Sequence, residues 1–162
     1  MVRRTRRTTR FASAVATVGW LGRIPWAPGT WGSLVGLLIG VLVSRLVSGL
    51  PAMPLLVATF MLCATVCTAA ERQLGQHDPS SVILDEVWGM AAVILILPSV
   101  GSSVALLLPT FLLFRAFDIV KPPPLRRLAE LPDGWGIMAD DLGAALYTMA
   151  IVWLTAQLSA FL

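Results

Sequence analysis

Five carboxylates stand where apolar stretches begin or end: Asp85-Glu86 before one, Asp118 after another, and Asp140-Asp141 before the last. Acids at the ends of membrane-embedded helices are costly unless paired or bound to a cation. Five of them converging from three separate segments repel one another, and a cation removes that repulsion. Hard oxygen ligands suit Mg²⁺, which takes one or two carboxylates together with water and substrate phosphate. The candidate metal ligands are therefore Asp85, Glu86, Asp118, Asp140 and Asp141. Arg115 and Lys121 bracket Asp118. A guanidinium grips two phosphate oxygens at once and an ammonium acts as a point charge, so both are candidate substrate contacts. Each residue also has a plainer role. Asp140 or Asp141 would cap the last helix, Asp118 would pair with Arg115 or Lys121, and either base would mark a helix end on the positive side of a membrane.

Three further motifs join these. Pro28-Gly29-Thr30-Trp31-Gly32-Ser33 opens the first apolar stretch. Its glycines and hydroxyls would present free N–H groups to an anion, or serve as a simple turn and cap. His77 is the single histidine, a candidate proton carrier that in its plainer role is solvated or structural. Gly134-Trp135-Gly136 precedes the last acidic pair and would let backbone approach a ligand closely. Other chemistries are excluded. There is no P-loop, and one histidine cannot supply a zinc pair. The spacing from Cys67 to Arg72 is one residue short of a cysteine phosphatase loop and lies in an apolar run. The Asp-Gly-x-x-Ala-Arg pattern of CDP-alcohol phosphotransfer is not met by Asp133 to Met138. Cys63 and Cys67 share a helix face and read as packing residues.

The elements that must position these groups are set by composition. The chain has 162 residues, of which 57% are hydrophobic and 13% charged, against about 45–50% and about 25% for soluble domains. That excludes a disordered chain, a disulfide scaffold and a free globule. It predicts one all-α domain, residues 1–162: a polytopic integral membrane helical bundle with about four to five membrane-embedded helices. The apolar stretches are Leu34 to Leu50, Pro54 to Ala70, Val87 to Leu97, Val104 to Phe114 and Leu142 to Leu162. The third and fourth are short for a full span, which needs about 20 residues. They cross only if their helices continue past the polar ends, with Ser81 as an N-cap; otherwise they form a hairpin that dips partway into the bilayer.

With the N-terminus inside, eleven of twelve Lys/Arg residues and all nine acids fall on the cytoplasmic side, Arg45 being the exception. This agrees with the positive-inside rule. It gathers the chemistry into one interfacial cytoplasmic site. Arg3, Arg4, Arg6, Arg7 and Arg10 make residues 1–22 a basic tail, read as a contact for an anionic lipid bilayer rather than for nucleic acid.

In these motifs the sequence resembles the phosphatidylglycerophosphatase A family. The likeness rests on Pro28-Gly29-Thr30 with Gly32-Ser33, on His77-Asp78 followed by Asp85-Glu86 and Gly89, on Phe114-Arg115 with Asp118 and Lys121-Pro122, and on Gly134 to Asp141. Two features depart from the pattern: Ala129, with Glu130 beside it, stands where members often carry an acid, and Lys121 is followed by three prolines. The resemblance implies a mostly helical, magnesium-dependent phosphatase of bacterial inner membranes. It would convert phosphatidylglycerophosphate to phosphatidylglycerol and inorganic phosphate. On this reading Asp85, Glu86, Asp118, Asp141 and His77 are catalytic, His77 as proton donor to the leaving glycerol oxygen. Arg115, Lys121, Gly29, Thr30 and Ser33 bind substrate. A homo-oligomer is compatible with it. The competing class is a non-enzymatic membrane subunit that binds or transports ions. Transport sites lie near the bilayer midplane, whereas every acid here lies outside the apolar stretches.

Overall fold

A computed structural model of the chain describes residues 11–160. The five tail arginines lie outside the described residues. Within them the fold is all-helical. We number the main helices α1 (Pro28–Ser44), α2 (Met53–Leu74), α3 (Leu84–Ile96), α4 (Pro98–Ser102), α5 (Val104–Val120), α6 (Leu125–Ala129) and α7 (Gly134–Ala160). Residues 11–16 are helical as well. They tie down the loop before α3, where the Ile83 N–H donates to the Ala16 carbonyl at 3.0 Å.

The centre of the bundle is α3. Its residues from Val87 to Leu95 are all buried, so it shows no polar face, as expected of a core helix. Its thirteen residues span about 20 Å. Helix α1 lies against α3, and α7 touches α2, α3, α5 and α6. The α1–α3 contact is a stripe of glycines. A Cβ on Gly32 would sit 2.9 Å from the Ile83 carbonyl oxygen, one on Gly36 3.0 Å from Val87 Cα, and one on Gly40 2.8 Å from Ile94 Cβ. Spacing of four residues puts all three on one face. Small residues in such a row let two helix backbones touch, a common device where helices pack within lipid.

The outside of the bundle is apolar. Leu38, Leu42, Leu62, Leu108 and Leu158 each expose more than half of their surface. Two helical segments are long and apolar enough to cross a membrane, Leu50–Leu74 and Gly134–Ser159. The observed boundaries differ from the apolar runs in a consistent way. Each helix continues into the polar residues at one end, so Asp85 and Glu86 fall in the first turn of α3. Asp118 falls in the last turn of α5, and Asp140 and Asp141 fall well inside α7. The N-cap of α3 is Ile83, without a side-chain cap, so Ser81 does not serve there. The turn expected between the third and fourth stretches is the short helix α4.

Candidate active site

Four helices deliver their chemistry to one end of the bundle. The start of α1, the start of α3, the end of α5 and the second turn of α7 meet there. Asp85, Glu86 and Asp141 each place a carboxylate oxygen within 4.8 Å of the others. Asp85 Oδ1, Glu86 Oε2 and Asp141 Oδ2 are buried and have no hydrogen-bond partner. Asp118 completes the group through Arg115. The guanidinium pairs with Asp118, lies 3.8 Å from Glu86 Oε1, and donates from Nη1 to Ser33 Oγ at 3.3 Å. The Ser33 hydroxyl in turn donates to the Gly29 carbonyl at 2.9 Å. A Cβ on Gly29 would meet Glu86 Oε1 at 2.2 Å and both terminal nitrogens of Arg115 at 2.9 Å, so a larger residue here would displace the ends of these two side chains.

Four buried or nearly buried carboxylates thus gather about one guanidinium, which contacts Glu86 and Asp118. Carboxylates so close cannot all be charged without further positive charge. The donor set is all oxygen, which is the chemistry of a hard divalent cation. Orphaned buried oxygens on three of the four acids fit such an ion.

Asp140 does not join this group. Successive helix residues point about 100° apart, so Asp141 faces the cluster while Asp140 turns to Lys121, with which it forms an ion pair. Lys121 caps the C-terminus of α5 in the left-handed region, at φ 46°. Burial opposes its charge, but the hydrogen bond and charge of Asp140, with Asp78 and Asp118 nearby, hold its pKa above the ordinary lysine value. Lys121 is therefore a fixed cation at the edge of the site. The capping role considered for Asp140 and Asp141 does not occur, because α7 starts at Gly134, more than a full turn earlier.

His77 hydrogen-bonds through Nδ1 to Glu71 Oε1 at 2.5 Å, and no hydrogen bond or ion pair joins it to the four acids among the described residues. The Asp78 N–H also donates to Glu71 Oε1, at 3.3 Å. Glu71 is buried, with Oε2 unpartnered, and sequence reasoning passed over it. The available signal was an acid that directly follows the uncharged stretch Pro54 to Ala70, six residues before the only histidine. Thr30 lies at the first turn of α1, but its N–H and that of Trp31 are taken by the Ala27 carbonyl, at 2.9 and 3.4 Å. The helix start therefore offers an anion fewer donors than its glycines suggest. Gly134 and Gly136 serve packing rather than ligand approach. Gly134 donates its N–H to Thr68 Oγ1 at 3.1 Å, and a Cβ on Gly136 would sit 2.6 Å from the Ala129 carbonyl. Arg72 pairs with Asp133 at 2.9 Å and ties the end of α2 to the start of α7.

Acids, a guanidinium and a lysine gathered at one end of an apolar helical bundle are the groups of an enzyme that handles phosphate on a lipid. A family model described as "Phosphatidylglycerophosphatase A" matches residues 14–156, and the chain belongs to that family. It is 39% identical over 133 residues to a phosphatidylglycerophosphatase A of Haemophilus influenzae, covering 82% of this chain and 80% of that one. To the Escherichia coli protein of the same name it is 30% identical over 135 residues, covering 82% and 76%. A Bacteroides thetaiotaomicron protein named "Putative phosphatidylinositol-3-phosphatase" is 34% identical over 137 residues, covering 81% and 84%. No solved structure matches the chain significantly. The chain is thus a lipid phosphatase, a phosphoric monoester hydrolase. That sets aside the alternative of a non-enzymatic ion-binding or transport subunit.

Proposed function

We propose that the protein removes the terminal phosphate of phosphatidylglycerophosphate, in a Mg²⁺-dependent reaction at the cytoplasmic face of the bacterial inner membrane. The observation that carries this reading is the cluster of Asp85, Glu86 and Asp141 beside the Arg115–Asp118 pair. The substrate comes from the family and from the two relatives named for it.

Asp85, Glu86 and Asp141 would hold Mg²⁺, which supplies Lewis-acid polarisation of a phosphoryl oxygen and a bound water of lowered pKa. Arg115 meets the equatorial phosphoryl oxygens, where transition-state charge is spread. Its contacts with Ser33 and Asp118 fix the guanidinium beforehand, so little reorganisation accompanies reaction. Lys121 adds a second, permanently charged group at the rim. His77, oriented by Glu71, passes a proton to the glycerol oxygen as its bond to phosphorus breaks. A water oxygen forms the new bond to phosphorus in line, opposite the departing glycerol oxygen; one of its protons stays on the released inorganic phosphate and the other passes to solvent, from which His77 is reprotonated.

The membrane setting is part of the same proposal. Two segments of spanning length, a coat of exposed leucines and bacterial relatives support a multi-pass inner-membrane protein. Helices α1, α2, α5 and α7 would be embedded around the shorter α3, four to five in all, with the site facing the cytoplasm.

The test is phosphate release by purified protein from a panel of lipid phosphomonoesters: phosphatidylglycerophosphate, phosphatidylinositol-3-phosphate and phosphatidic acid. Phosphatidylglycerophosphate is expected to be hydrolysed fastest. Preference for either of the others would overturn the substrate assignment.

A further inference from the structure

Two apolar grooves lie on either side of Trp88, which is about one helical turn along α3 from Asp85. The larger, about 400 Å³, runs between α2, α3 and α7 past Val57, Phe60, Ala92, Leu146 and Met149. The smaller, about 250 Å³, runs between α1, α2 and α3 past Ile39, Leu55, Cys63, Val87 and Ala91. Both are lined by Trp88 and Leu56. The Trp88 ring is pinned at their divide. Its Nε1–H donates to Thr59 Oγ1 at 3.1 Å on the smaller groove's side, and it stacks edge-to-face with Phe60, ring centroids 5.0 Å apart, on the larger groove's side.

Their upper ends are set by sequence neighbours of the acids. Trp88 follows Glu86 by two residues, Leu84 and Val87 flank Asp85-Glu86, and Leu142 follows Asp141. From Trp88 to Ile96 the larger groove follows α3 for about 12 Å. One leaflet of a bilayer has a hydrocarbon depth of about 15 Å. Each groove is therefore an apolar channel close to one leaflet deep, whose lining begins within two residues in sequence of Asp85, Glu86 or Asp141.

We infer that these grooves seat the two acyl chains of one diacyl phosphomonoester, with Trp88 as the wedge between them. This rests on the lipid-phosphatase reading above. Lipid tails are as apolar as the groove walls, so a chain gains little affinity by leaving the bilayer for a groove. What it gains is a fixed position. Two seated chains hold the glycerol backbone over Asp85, Glu86 and Asp141, and orientation of this kind governs turnover steeply.

The experiment compares long-chain diacyl phosphatidylglycerophosphate in vesicles with its deacylated, water-soluble headgroup. Val57→Trp fills the larger groove and Ile39→Trp the smaller, both from half-exposed positions. Each is expected to lower the ratio of kcat/KM for the diacyl lipid over that for the headgroup by about ten-fold. An unchanged ratio in both variants would overturn the assignment. So would an equal loss on both substrates, which would mean that the positions serve folding alone. A diacyl lipid carrying a photoactivatable group mid-chain supplies the test on unaltered protein. It should label residues of both grooves, and labelling spread evenly over the apolar surface, or displaced by a second copy of this chain in the grooves, contradicts it. Failure of the wild-type protein to release phosphate from either substrate contradicts the phosphatase reading instead. Normal release with unchanged ratios contradicts the grooves only.

Discussion

Asp141 and Asp140 are adjacent in sequence and differ in surroundings because a helix turns them to different partners. Asp141 shares space with Asp85 and Glu86, while Asp140 is neutralised by Lys121. Asp85→Asn and Asp141→Asn should therefore each lower phosphate release by at least about a hundred-fold, the scale of losing a principal electrostatic group. Insertion and purification should be retained, and near-normal turnover in both variants would remove the cluster from the mechanism. Arg115→Lys keeps the charge but loses the planar guanidinium whose Nη1 reaches Ser33, Glu86 and Asp118 and whose remaining nitrogens are left for phosphate. It should cost about ten- to a hundred-fold in kcat, measured on the same lipid, with the purified variant still folded by circular dichroism. The types of these residues were legible in the sequence, since acids interrupting an apolar chain stand out. Which of two neighbouring acids faces inward was not, because that depends on where α7 begins. Glu71 was also missed, because its place six residues before His77 is visible in the sequence while its burial follows from the packing of α2.

At the scale of elements, the site is as precise as the α1–α3 contact, which carries Gly29 and Ser33 on one side and Asp85-Glu86 on the other. Val87 backbone occupies the space that a side chain at Gly36 would need. Gly36→Val should push the helices apart, with an overpacking cost of about 1–3 kcal/mol. A lower melting midpoint in detergent, together with reduced phosphate release, is the expected result. An unchanged midpoint would show that the contact tolerates separation. The apolar runs located α1, α2, α3, α5 and α7 correctly, and erred at their ends. A helix keeps its backbone hydrogen bonds through Asp85, Asp118 or Asp140, so the change from apolar to polar residues does not mark the helix boundary. The glycine stripe was visible in the letters, yet its meaning required knowing that α3 lies against it.

For the whole molecule, helices running back and forth along the bundle collect the chemistry at one end, and on the proposed topology an even number of crossings between polar clusters makes that end a single membrane face. Segments as distant as Ser33, Asp85, Arg115 and Asp141 meet there. Single cysteines introduced in a variant lacking Cys63 and Cys67 report this directly. Gln76→Cys and Leu131→Cys should react with a membrane-impermeant thiol reagent from the cytoplasmic side, and Ser99→Cys from the opposite side. Labelling of Gln76→Cys and Leu131→Cys from opposite sides would break the single-face arrangement. The most direct measurement is phosphate release from phosphatidylglycerophosphate by protein stripped with EDTA and then titrated with Mg²⁺. Release should cease in chelator and return as Mg²⁺ is added. Full activity in chelator would contradict the carboxylate cluster as a cation-dependent catalytic centre.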